Sequence, residues 1–333
     1  MQVGVDSFTL SPLKLDPFEM LDYAKKHELE GVQFGGLPGW PDLGMVREVR
    51  AHADSLGLYS HVGTHACNPH FYTGPPEEHA KETIGMIEGA AECGWHELHS
   101  LLGGLEERYS VETPWEKQLK DSTEFIRRLQ PVLRNNGSRV NLETHGEATT
   151  FEYVRLIEDV GPDVVGICLD TANVLLFAED PVEAARRAAP YTHLTHAKDA
   201  ILYFTDEGLT RQGRPPGQGI LDWEKILPAL AEYSPDLPLS IEDHKWVFGA
   251  AIFDPDWYAG FPDLTASELG TIVRHAWHCQ EKIHSREWPD PDAYEAIPFI
   301  DQLEERLLSG RDYLRRTLRA LGLHGTGESA SAG

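Results

Sequence analysis

Residues 139–145 read Arg139-Val-Asn-Leu-Glu143-Thr-His145, and residues 164–173 read Val164-Val-Gly-Ile-Cys-Leu-Asp170-Thr-Ala-Asn173. Each is a short apolar run that stops at an acid, and each is followed by a helical stretch, Thr150–Val160 and Pro181–Ala188. A buried strand feeding a covering helix is the repeating unit of a parallel sheet. Pro181 suits a first helical turn, where its missing N–H costs nothing.

The same unit extends in both directions. Downstream, Tyr191–His196 leads through a long loop to a helix starting at Asp222, a residue suited to an N-cap, and Leu237–Glu242 is the last strand. Upstream, strands are expected at Val3–Phe8, Gly31–Phe34, Leu58–Val62 and Glu97–Leu101. Helices are expected at Asp16–His27, Leu43–Ser55, Ala80–Glu92 and Trp115–Asn135. Eight such units predict an α/β fold, a (β/α)8 TIM barrel with long βα loops and a C-terminal helical extension. An open doubly wound sheet would alternate in the same way, but no GxGxxG follows the first strand. The expected organisation is one TIM-barrel domain over 1–321, with the barrel core at about 1–245. Long loops at 199–221 and 243–290 and a charged helix at about Ala293–Leu321 are added to it, and 322–333 reads as a disordered tail.

Composition narrows the function. Fifty-four acidic against 29 basic residues give a net charge of −25, and no Lys/Arg run forms a basic groove, so nucleic acid is excluded as a partner. The four cysteines are widely spaced and form no CxxC pair, which suits a reducing compartment. No leader-like n-region precedes the first strand, and no apolar run is long enough to span a membrane. A soluble cytoplasmic protein is expected.

In barrel enzymes the active site lies at the C-terminal ends of the strands. Here four consecutive strands finish on Glu143, Asp170, His196 and Glu242. A buried carboxylate is costly unless its charge is compensated, and three converging on one mouth call for a cation. These four residues are therefore the candidate ligands of one divalent metal ion. Carboxylates with imidazole and no thiolate suit Mn²⁺, with Mg²⁺, Co²⁺ or Zn²⁺ as alternatives. Side chains two apart on a strand share a face, so His145 accompanies Glu143, Lys198 accompanies His196 and His244 accompanies Glu242. All three are candidates for acid–base work. Equally, His145 could orient Glu143, Lys198 balance the carboxylates and His244 belong to the next loop. His61, His65 and His99 read as hydrogen-bonded scaffold residues.

At these strand ends the chain resembles the xylose-isomerase-like barrel superfamily, which includes sugar isomerases, ketose 3-epimerases, inosose dehydratases and endonuclease IV-type repair enzymes. The matching pieces are Asn-Leu-Glu143, Leu-Asp170-Thr-Ala-Asn173, His196-Ala-Lys198-Asp199, Gly217-Gln-Gly-Ile-Leu-Asp222-Trp and Ser-Ile-Glu242. The resemblance implies that Glu143, Asp170, His196 and Glu242 hold the metal. In the epimerases the two glutamates also exchange protons with the substrate carbon, so Glu143 and Glu242 become catalytic candidates beside His145 and Lys198.

Departures from the pattern matter. Asn173 stands where many members carry a His that contacts the sugar or a second metal, which makes it a substrate-binding candidate together with His244. The Asp-x-His pair of the repair enzymes is missing after strand seven, which argues against phosphodiester cleavage. The chain also resembles the large subunits of bacterial C-glycoside deglycosidases, which work with a small β-rich partner subunit. That resemblance implies elimination from a 3-oxo-C-glycoside, with His145 as base.

The expected function is proton abstraction beside a carbonyl of a sugar or keto-sugar, as an isomerase or epimerase. The C-glycoside lyase subunit is the alternative, and a non-catalytic, metal-stabilised sugar-binding barrel is the third. The corresponding partners are a small-molecule sugar or glycoside and either a homo-oligomer or a hetero-oligomer with a small β-rich subunit.

Overall fold

The computed structural model describes residues 1–38, 40 and 43–324. Its strands are β1 (Gln2–Asp6), β2 (Gly31–Phe34), β3 (Tyr59–Gly63), β4 (Glu97–Ser100), β5 (Arg139–Glu143), β6 (Val165–Asp170), β7 (Thr192–Ala197), β8 (Asp199–Phe204), β9 (Leu209–Arg214), β10 (Pro238–Ile241) and β11 (Val247–Ala250). Strands β1 to β7 and β10 close into a parallel barrel in the order β1-β10-β7-β6-β5-β4-β3-β2. The seam is the β1–β10 pair, in register from Gln2 opposite Pro238 to Val5 opposite Ile241. This is the expected (β/α)8 TIM barrel.

The strands are short and rich in Val, Ile and Leu because helices cover them outside and side chains fill the barrel inside. Val3, Val5, Val32, Val62, Val140, Val165 and Ile167 are wholly buried. Helix starts are set by side chains that satisfy free N–H groups. Thr149 and Glu152 cap each other's backbone ahead of Thr150–Val160, and Asp180 accepts from Val182 N ahead of Pro181–Ala188.

The structure departs from the sequence reading in three places. Strand one ends at Asp6, whose Oδ1 accepts the Phe8 N–H at 2.8 Å and turns the chain into a short helix, Ser7–Leu10. The segment read as a long seventh loop contains the β8–β9 hairpin, and β11 from the next long loop joins it as a three-stranded antiparallel sheet. The last helix begins at Phe299 instead of near 293, because Pro291–Glu295 forms a separate short helix and Pro298 restarts the chain.

Asp199 ties the hairpin to the barrel. Its two carboxylate oxygens accept N–H groups from Ala200, Gly217, Leu221 and the Trp223 indole at 2.8–3.2 Å. Gly217 sits at φ +85°, and a Cβ at Gly219 would lie 2.1 Å from Asp199 Oδ1. Both glycines of the Gly-Gln-Gly turn are thus required for this wrap.

Helix Phe299–Leu321 buries Leu303, Leu307, Leu314 and Leu318. Gly322 ends it in the left-handed conformation, and the Leu323 carbonyl accepts from the Met1 amino group at 2.9 Å. The rest of the expected tail, 325–333, lies outside the described residues. Among the described residues no helix is long and apolar enough to cross a membrane.

Candidate metal and active site

Glu143 and Asp170 are the last residues of β5 and β6, His196 is the penultimate residue of β7, and Glu242 directly follows β10. β5, β6, β7 and β10 are consecutive neighbours in the barrel, so the four side chains converge. One ligand atom from each lies within 4.8 Å of the other three, and all four residues are buried. Glu143 Oε1, Asp170 Oδ2, His196 Nδ1 and Glu242 Oε2 are buried without a well-directed hydrogen bond, and Lys198 Nζ lies 2.7 Å from Asp170 Oδ2. His196 Nδ1 stands 3.1 Å from Glu143 Oε1 and 2.7 Å from Glu242 Oε2. Three buried carboxylates converging on one imidazole nitrogen make a candidate cation site. Three oxygens and one imidazole nitrogen fit a hard or borderline divalent ion.

Protein groups also contact these carboxylates. His99 Nε2 lies 2.9 Å from Glu143 Oε2. Lys198, only 2% exposed, sits 2.7 Å from Asp170 and 3.1 Å from Glu242. Burial opposes ionisation of Glu143, yet the neighbouring His196 and His145 hold its carboxyl well below the usual range. At Asp170 burial wins and raises the carboxyl despite Lys198. The three acids are therefore not equivalent: Glu143 and Glu242 stay ionised more readily than Asp170.

His145 lies beside this centre with Nδ1 2.6 Å from the Gly103 carbonyl. Burial works against its protonation, but the Glu143 and Glu147 carboxylates raise it above the ordinary imidazole range. Asn173 places Oδ1 3.0 Å from Arg211 Nη1 and its amide nitrogen 3.5 Å from the His145 carbonyl. His244 Nε2 is 3.8 Å from Glu242 Oε1, and the His244 ring packs against Trp246 with centroids 4.7 Å apart. All eight residues singled out from the sequence thus meet at one barrel mouth. Seven of them (Glu143, His145, Asn173, His196, Lys198, Glu242 and His244) line a cavity of about 880 Å³, and Asp170 lies behind Lys198.

The family model described as a xylose isomerase-like TIM barrel matches residues 21–254. The chain belongs to that family. The uncharacterised protein YihM of Escherichia coli K12 is 23% identical over 228 residues, covering 67% of this chain and 64% of YihM. The chain thus matches a little under two thirds of that relative's length. D-Psicose 3-epimerase from Clostridium cellulolyticum H10, solved with D-tagatose, superposes with a TM-score of 0.65 at 15% identity, covering 96% of this chain and 99% of the epimerase. The IolI protein, solved with a bound zinc atom, superposes with a TM-score of 0.56 at 20% identity, covering 83% and 96%.

Within this xylose isomerase-like barrel, several contributors escaped the sequence reading. His99, read as a hydrogen-bonded scaffold residue, has Glu143 as its partner, which the sequence did not indicate. Its companions do differ: His65 pairs with Glu82 at 3.1 Å, and burial lowers His61 to about 4. Asp6 and Gln33 reach His196 from β1 and β2. Arg211, on β9, is 1% exposed, and its Nε and Nη2 have no partner. A signal for Gln33 was present, since a lone amide between Val32 and Phe34 in a fully buried strand needs a polar partner. Above the polar floor the cavity wall is apolar, built from Phe8, Leu15, Met20, Phe71, Trp246 and Phe248.

Proposed function

We propose that this chain is a divalent-metal-dependent enzyme that moves a proton next to the carbonyl of a sugar or keto-sugar, as an isomerase or epimerase. The observation that carries the reading is the convergence of four buried potential ligand atoms from Glu143, Asp170, His196 and Glu242. The D-psicose 3-epimerase and zinc-bearing IolI likenesses support it. A divalent ion held there would supply Lewis-acid stabilisation of an enediolate. The chain's own groups would do the rest. His145, its Nδ1 committed to the Gly103 carbonyl, offers Nε2 as the proton acceptor. Lys198 balances Asp170 and Glu242, His99 fixes Glu143, and Arg211 with Asn173 binds substrate oxygens. Mn²⁺ is the metal we favour for this oxygen-rich set.

A second reading is favoured by the cavity wall. About 880 Å³ is near the upper end for small-molecule sites, and its upper part is lined by Phe8, Met20, Trp246 and Phe248. A 3-oxo-C-glycoside would place its sugar on the polar floor and its aglycone on this wall. His145 would take the C2 proton, and the C–H electron pair would form the C1–C2 double bond. The aglycone carbon would leave with the electrons of the C1 bond and be protonated. This reading requires a small partner subunit that copurifies; the epimerase reading does not.

The test is elemental analysis of wild type beside Glu242→Gln and His196→Ala, followed by deuterium uptake from D₂O into ketoses and 3-oxo-glucosides. About one equivalent of divalent metal in wild type, lost in both variants, with deuterium entering next to the carbonyl, is the expected result. Wild-type protein that stays metal-free after incubation with each ion overturns it. Metal without exchange leaves the barrel as a sugar-binding protein.

A further inference from the structure

His196 is the only imidazole among the four converging side chains, and its ring has two nitrogens that face different neighbours. Nδ1 faces Glu143 and Glu242, and Nε2 faces the β1–β2 side of the barrel, where Gln33 Nε2 lies at 2.6 Å and Asp6 Oδ2 at 3.5 Å. A neutral imidazole carries its proton on one nitrogen and a lone pair on the other, and only the lone pair can bind a metal. Which nitrogen is which therefore decides whether the site works.

The contacts give the answer. With an ion held among the three carboxylates, Nδ1 is the nitrogen that faces it and must carry the lone pair. The proton then belongs on Nε2, where it needs an acceptor within reach. Gln33 is wholly buried, and its own Oε1 is another buried atom with no partner. A half-turn of the Gln33 amide exchanges oxygen and nitrogen without changing the side chain's shape. It places Oε1 against His196 Nε2 as an acceptor, at the cost of the 3.7 Å contact between Gln33 Nε2 and Cys168 Sγ. Asp6, whose Oδ1 already caps Phe8 N, is the more distant acceptor. Gln33 and Asp6 are cross-strand neighbours in register, so both approach the ring from the same side.

We propose that Gln33 is a positioning residue: it accepts the Nε2 proton of His196 and so holds the Nδ1 lone pair toward Glu143, Asp170 and Glu242. Partners that orient a metal-binding histidine are worth about 10- to 100-fold in affinity. The inference rests on the metal site proposed above.

The experiment compares wild type, Gln33→Leu and Gln33→Glu by competitive Mn²⁺ titration. Imidazole ¹⁵N spectra of the Zn²⁺-loaded proteins and melting curves accompany it. Expected is a 10- to 100-fold loss of Mn²⁺ affinity in Gln33→Leu and a loss of less than about threefold in Gln33→Glu, which keeps an acceptor at the same place. In wild type the His196 Nδ1 resonance should be metal-shifted and Nε2 protonated. Three results overturn the inference: unchanged affinity in Gln33→Leu, equal loss in both variants, or a wild-type spectrum with Nε2 on the metal. If wild type binds no ion, it is the metal reading that falls, and the first titration shows it. Should Gln33→Leu not fold, the wild-type spectrum and the Glu variant still decide.

Discussion

His145 gives the proton of its Nδ1 to the carbonyl oxygen of Gly103, across 2.6 Å. A carbonyl only accepts, so in the neutral ring the interaction fixes one tautomer and leaves Nε2 with a lone pair, on a side chain that lines the cavity. Replacing His145 with Gln should lower turnover of a keto-sugar by about 10²- to 10⁴-fold, the usual range for a general base. Metal content should not change, because His145 is not among the four converging residues. Parallel kcat and elemental measurements check this; an unaltered kcat would remove His145 from the chemistry.

Arg211 offers a different kind of prediction. Its Nη1 donates to Asn173 and its guanidinium lies 5.2 Å from the centre of the Phe248 ring, while Nε and Nη2 are buried without a hydrogen bond. Substrate oxygens would satisfy both. Arg211→Met should therefore lower kcat/KM by about 10- to 100-fold, the worth of a hydrogen bond to a charged group, while the melting temperature changes little. A melting temperature that collapses with kcat/KM intact would make Arg211 structural.

Glu147 gives a pH-dependent prediction. Its Oε1 accepts the Leu102 N–H at 2.9 Å and the Tyr153 hydroxyl at 2.7 Å, whereas Oε2 has no partner. Burial lifts the carboxyl to about 7, against an ordinary 4.5. The folded state thus keeps its proton where the unfolded chain has lost it, and stability contributed by this group falls as pH rises from about 4.5 through 7. Glu147→Gln retains both accepted bonds without the charge. Its unfolding free energy relative to wild type should rise between pH 5 and pH 8, by an amount on the order of 3 kcal/mol at most, as read by denaturant titration. A difference that stays flat over that range would contradict the assignment.

The barrel and its four converging residues were legible because the strands are short, mostly apolar runs and four consecutive ones finish at Glu143, Asp170, His196 and Glu242, a pattern that local sequence carries. Gln33, Asp6 and His99 were not, since what makes them matter is contact across the barrel with residues more than forty positions away. Arg211 was lost for another reason. Ala200-Ile-Leu-Tyr-Phe204, the Asp-Glu-Gly turn and Leu209–Arg214 have the make-up of a hairpin, but placed after an eight-unit count they read as loop. The aromatic content of 243–290 was visible, although only the fold shows that Trp246 and Phe248 join Phe8 over the mouth.

The β8–β9–β11 sheet hydrogen-bonds to itself and is absent from the closed ring of barrel strands. It carries Arg211 and Phe248, whereas the acids and His196 stand on or directly beside the barrel strands. On the proposed reading, selectivity and reactivity are thus housed in separate modules. Exchanging residues 199–221 and 246–250 between relatives would transplant substrate preference while the proton-moving machinery stayed where it is, so a lineage built on this scaffold could explore new glycosides by editing one hairpin and one strand.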